Sequence, residues 1–218
     1  MGILAAGLLL PAHPSFAASG CPSGLPPAKL TMSVDSGSVA IDNGRGHAEL
    51  KRIKRRTGAA APSGQWDLLG LTVAEFKFNM RVNVLLYPLP DGRYCATPQS
   101  VASSVGYPDF TIYIGRKHKL GTCQHRVIRA HEETHVALYR RNLQRYAPLL
   151  RRRLEIAVRQ FQPLIAPSKN EGTERVKNRL KIKIDPLIKE MQRNADAENA
   201  LIDTRESYRT IRRSCRNW

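Results

Sequence analysis

The sequence predicts an α+β fold in which a mostly antiparallel N-terminal sheet is followed by helices. Three observations carry that prediction. Phe76, Phe78, Met80, Val82, Val84 and Leu86 alternate with Lys77, Asn79, Arg81, Asn83 and Leu85, a period of two that gives a strand one apolar face. Beyond Thr122 the period changes. Ile128, His131, His135, Leu138 and Asn142 fall at three- and four-residue steps, which is one face of a helix. Between the two patterns Pro88, Pro90-Asp91-Gly92 and Gly115 cut the chain into short pieces, as strands joined by turns require.

Taken in order, the chain begins with an apolar run from Ile3 to Leu10, then Pro11, Pro14 and the small-x-small triplet Ser15-Phe16-Ala17. Residues 1–17 are therefore expected to be a secretory signal peptide, too short for a membrane span, and the mature chain periplasmic or secreted. Residues 1–9 contain no Lys or Arg, which points to a start codon further upstream. Residues 18–28 are an extended lead-in, and residues 29–218 form a single domain with a sheet half (29–115) and a helical half (122–218). Leu30, Met32 and Val34, then Val39 and Ile41, make two short strands around a turn at Asp35-Ser36-Gly37. The run from Lys51 to Arg56 holds five basic residues in six and is expected to be a solvated surface turn. Gly58 to Gly64 follows as a loop. After the strand at 76–86 come strands at Arg93–Thr97 and Phe110–Ile114.

In the second half Thr122 is the expected N-cap of the first helix, and Pro148 a kink or a fresh start. Leu149, Leu150, Leu154, Ala157 and Val158 continue a stripe toward Phe161. Residues 166–175 are expected to be a polar loop. Asp185-Pro186 then starts a helix that runs to about Arg213.

Composition bounds the partners. Lys and Arg number 35 against 18 Asp and Glu, a net charge of +17, and such a field draws polyanions such as nucleic acid, anionic lipid or an anionic envelope polymer. Nucleic acid is not expected, because aromatics are 6%, no nucleic-acid motif is present and the leader directs the chain outward. No transmembrane anchor is expected either. Cys21, Cys95, Cys123 and Cys215 suit two disulfides, with three connectivities open. Cys123–Cys215 is favoured, since it would pin the tail to the start of the first helix.

The chemistry-bearing stretch is His131-Glu132-Glu133-Thr134-His135, an H-E-x-x-H. Four residues apart on a helix, the two imidazoles stand one turn from each other and can share one Zn2+, with Glu132 beside them as a general base. Glu133 diverges from Glu132 by about a hundred degrees and is not expected to act. Leu138 and Arg141 stand where an extended motif would place Gly and His, so a third ligand must come from farther along. Glu198 lies near the centre of the last helix's apolar stripe, where an unpaired carboxylate would be costly. Asp203 and Asp196 lie at its edge. Glu198 and Asp203 rank together, ahead of Glu155. Each could instead be held in a salt bridge to one of the many arginines. With zinc bound, the expected function is hydrolysis of peptide bonds in a peptide or protein substrate. The strand Phe110–Ile114 could take an extended peptide along its edge. Tyr113 or Tyr139 could steady an oxyanion, or simply pack in the core. His118 and His125 are expected on the surface or in loops. The alternative is a non-enzymatic basic envelope protein that binds anionic polymers, with the histidine pair structural.

The segment Asp109 to His135, with Phe110-Thr111-Ile112-Tyr113-Ile114, Cys123 and Ala130-His131-Glu132-x-x-His135, resembles an uncharacterised bacterial family of predicted secreted zinc-dependent metalloproteases. The tail Asn199-Ala200-Leu201-Ile202-Asp203-Thr204 is similar to that family's acidic C-terminal motif. The resemblance implies a zincin-like arrangement, with the H-E-x-x-H helix packed on the sheet, and it favours Asp203 as the third ligand where stripe position favours Glu198.

Overall fold

The computed structural model describes residues 20–22, 25–58 and 68–218. The expected signal peptide and most of the Gly58–Gly64 loop lie outside the described residues. The fold is α+β, with β1 (Lys29–Asp35), β2 (Ser38–Asp42), α1 (His47–Thr57), β3 (Gly70–Ala74), β4 (Lys77–Pro88), β5 (Tyr94–Gly106), β6 (Asp109–Ile114), α2 (Cys123–Arg159), β7 (Leu164–Ala166), α3 (Lys169–Ile202) and α4 (Arg205–Arg213).

Two sheets form instead of one mostly antiparallel sheet. One has the order β1-β5-β4 with β7 also on β5, and the other the order β2-β6-β3. Both are mixed. β1 runs parallel to β5 and β2 parallel to β6, whereas β3, β4 and β7 pair antiparallel. The turn at Asp35-Ser36-Gly37 does not close a hairpin; it hands the chain from one sheet to the other. Side-chain alternation reports which face of a strand is buried and is silent about the direction of its partner. In consequence β6 is the central strand of its sheet, and the edge expected at Phe110–Ile114 is occupied on both sides.

The helices differ from expectation in four places, one of them the break between α3 and α4 in the helix expected to run on to about Arg213. The basic run Lys51–Arg56 is helical, inside α1, because Leu50 is fully buried and Ile53 packs beside it against Leu68 and Leu71. Pro148 lies inside a continuous α2 and Pro186 inside a continuous α3. An interior proline costs a helix about 3 kcal/mol. Tyr146, Ala147, Leu150 and Leu154 on α2, and Ile184, Ile188 and Met191 on α3, are buried on both sides of those prolines, and burying each large apolar side chain returns roughly 1.5–3 kcal/mol. The expected loop at 166–175 is the end of β7 and the start of α3. Ser168 caps that helix by accepting from the Glu171 amide at 3.2 Å. Gly172 lets α3 lie close to β5, since a Cβ there would meet the Ala96 Cβ at 3.1 Å.

The main core joins both halves: Phe110, Ile112 and Ile114 from β6, Ile128, Leu143 and Leu150 from α2, and Leu180, Ile184 and Met191 from α3. Two disulfides, Cys21–Cys95 and the favoured Cys123–Cys215, close sequence separations of 74 and 92 residues. Loop-closure entropy assigns each about 4–5 kcal/mol, and such bonds belong to an oxidising, extracytoplasmic environment. Among the described residues no helix is long and apolar enough to cross a membrane.

Candidate metal centre

Thr122 starts α2 as its spacing predicts, accepting from the His125 amide at 3.2 Å. Two turns on, His131 and His135 leave the helix on one face, their ring centroids 5.0 Å apart. What they meet is the junction between α3 and α4. The helix ends at Ile202, and Thr204 caps the next one by accepting from the Ser207 amide at 3.1 Å. Asp203 sits in this two-residue break, beside Thr204. Its Oδ1 lies 3.0 Å from His131 Nε2 and 3.1 Å from His135 Nε2. The ligand atoms of His131, His135 and Asp203 all lie within 4.8 Å of one another.

The hydrogen bonds behind these groups fix what the rings present. Asn199 is fully buried, and its Nδ2 donates to the Ala195 carbonyl at 2.7 Å. Its Oδ1 therefore faces His135 Nδ1, 2.8 Å away, so that nitrogen carries the proton and donates it. In the neutral ring Nε2 is then a bare lone pair, aimed at an oxygen that is itself an acceptor. Two acceptors at 3.1 Å repel unless a cation, a proton or a metal, lies between them. Burial opposes charge on His135, but the Asp203 hydrogen bond, with Glu132 and Asn199, outweighs it and holds the ring's pKa above the ordinary value. Asp203 shows the mirror image: burial pushes its pKa up, and the hydrogen bonds from His131 and His135 bring it below the usual carboxylate range. Tyr208 from α4 stands beside the pair, its ring 5.6 Å from that of His131.

Glu132 projects toward the sheet and is 2% exposed. Its Oε2 accepts from Thr72 Oγ1 of β3 at 2.9 Å, and the same hydroxyl lies 3.0 Å from the Glu132 carbonyl. Gly70 makes room for this carboxylate, because a Cβ there would stand 2.6 Å from Glu132 Oε1 and 2.8 Å from Ile128 Cγ2. Desolvation raises the Glu132 pKa, and Asp203 adds to it, against the pull of His135, His131 and Thr72.

The other sequence candidates are placed elsewhere. Glu198 pairs with Arg145 at 2.7 Å and Glu155 with Arg159 at 3.6 Å, so for both the salt-bridge alternative is what forms. Asp196 is not among the clustered groups. Glu133 pairs with Arg129 at 2.7 Å. Tyr139 packs against Tyr107 and Phe110, with its hydroxyl pKa raised to about 12 by burial and by Asp196 and Asp203. Tyr113 packs against the small cluster around Leu50. His118 lies in the loop between β6 and α2, as expected, but is buried there; His125 is buried in the first turn of α2 instead of on the surface, its Nε2 3.3 Å from Asn43 Oδ1. Asn199, Thr72, Gly70 and Tyr208 were not singled out from sequence as members of the site. Asn199 alone carried a signal, as a polar residue one helical turn before Asp203. Comparison with protein-family models, with curated proteins and with solved structures finds no match to this chain.

Proposed function

We propose that this protein is a zinc-dependent metallopeptidase of the H-E-x-x-H type, with His131, His135 and Asp203 holding the metal and Glu132 acting as general base. The observation that carries the proposal is the approach of His131 Nε2 and His135 Nε2 to one oxygen of Asp203, with His135 Nδ1 held by Asn199. Two imidazoles and one carboxylate are the donor set of many catalytic zinc sites, which leave further positions for water and substrate. Zinc held there supplies a Lewis acid for the scissile carbonyl and makes water more acidic. The chain's own groups do the rest. Glu132, its carboxylate steadied by Thr72 and its pKa lifted by burial, takes the proton of the attacking water and delivers it to the leaving amine. Asn199 keeps His135 in the tautomer whose Nε2 is available, as an outer partner of a metal ligand does.

The test is zinc stoichiometry and casein-type peptide hydrolysis, measured on the wild-type chain beside two variants. One zinc per chain is expected in the wild type and in Glu132→Gln, and none in His135→Ala. Hydrolysis is expected to fall by at least about a hundredfold in Glu132→Gln, the scale of a lost general base. A folded wild-type chain that takes up no zinc would overturn the metal site. Full hydrolysis by Glu132→Gln would overturn the mechanism while leaving the site.

A further inference from the structure

Beside the first turn of α2, away from the two histidines, lies a cavity of about 470 Å³ lined by Lys117, His118, Lys119, Thr122, Arg212 and Trp218. Among the described residues no acidic side chain lines it. His118 forms part of the wall, is 7% exposed, and its Nε2 has no hydrogen-bond partner among the described residues. Burial pushes its pKa down, and the charged groups acting on it, Lys117, His125 and Arg212, push it further the same way. The N-terminus of the 37-residue α2 opens on the same space, with no acidic residue in its first turn. The positive end of that helix is thus not offset by a side chain of its own. The Trp218 ring stands edge-on to His118, centroids 5.5 Å apart, and is about half exposed.

We propose that this cavity binds a phosphoryl oxyanion, presented by free phosphate or by a phosphate ester. Two lysines and a helix N-terminus in one wall, with Arg212 and the His118 ring adding to the positive field, match a dianion with three acceptor oxygens better than a carboxylate with two. The indole beside them offers an apolar wall for the organic part of an ester. The site is independent of the metal centre and stands whether or not that centre is catalytic.

The full chain is titrated at constant ionic strength with inorganic phosphate, glycerol phosphate and acetate, while the His118 ring resonances are followed by NMR. A saturable shift with phosphate, accompanied by a rise in the His118 pKa, is expected, and acetate should bind roughly tenfold more weakly. Lys117→Gln/Lys119→Gln should weaken phosphate roughly tenfold, whereas the exposed, remote pair Lys77→Gln/Lys189→Gln, with the same net charge, should leave it unchanged. Tighter binding of glycerol phosphate than of phosphate would assign the site to an ester, and the reverse to the free ion. A His118 signal that does not saturate, or equal losses in the two double variants, would mean only general attraction by a basic chain and would overturn the proposal.

Discussion

Helix α2 carries two polar flanks built from similar residue types and held in opposite ways. On one flank Arg129 and Glu133 pair at 2.7 Å with both side chains about half exposed, and water offsets most of what the pair gains. On the other, His131, His135 and Asn142 turn into the molecule. His135 meets the buried Asn199 and Asp203, and Asn142 is 0% exposed with neither amide atom partnered among the described residues. The comparison teaches where a polar residue carries information. An exposed ion pair is nearly neutral to the fold, so its position says little about function. A buried imidazole whose proton is assigned by an equally buried amide is costly unless something uses it.

Four substitutions would break or sharpen that contrast. The largest effect is expected from Gly70→Ala, which drives a methyl group against Glu132 and Ile128. Calorimetric melting should show a loss of about 1–3 kcal/mol, with peptide hydrolysis falling further than stability accounts for. Next comes Asn199→Ala, which releases the His135 ring; competition with a chelator should register a ten- to hundredfold loss of zinc affinity, on the order typical for an outer partner of a ligand. Asn142→Leu goes the other way. Replacing two unpartnered buried polar atoms by an apolar group of similar volume should raise stability by about 1 kcal/mol in denaturant titration, with zinc content unchanged. The smallest effect belongs to Arg129→Ala on the exposed flank, within about 0.5 kcal/mol. If Arg129→Ala cost as much as Asn199→Ala, the distinction between the flanks would fail.

Much of this was legible in the sequence, for reasons that are local. The H-E-x-x-H stripe, the Thr122 cap and the long alternation of β4 depend on neighbours within a few residues, and periodicity reads such features directly. The parallel pairings of β1 with β5 and of β2 with β6 join residues about 70 apart, and nothing in a strand's own pattern names so distant a partner. The third acidic group shows the same divide at one residue's scale. A helix continued past Ile202 would place Glu198 centrally and Asp203 at the margin. The Thr204–Ser207 cap ends that helix and swings Asp203 onto both imidazoles. Composition misled at Ser168 as well, where Pro, Ser, Asn and Gly suggested a loop and the serine-to-Glu171 spacing was the true signal of a helix start.

The Cys123–Cys215 bond has a consequence for assembly. His131, Glu132, His135, Asn199, Asp203 and Tyr208 all fall between the two cysteines, so they belong to one covalent ring. Once that ring is closed, even an unfolded chain carries the two imidazoles and the carboxylate at an effective mutual concentration on the order of millimolar. Under the metal site proposed above, an ion captured by the histidines would find Asp203 by an intramolecular search. In the open, reduced chain the same search spans a far longer and looser tether. For that proposed site, this connectivity favours oxidation before metal uptake.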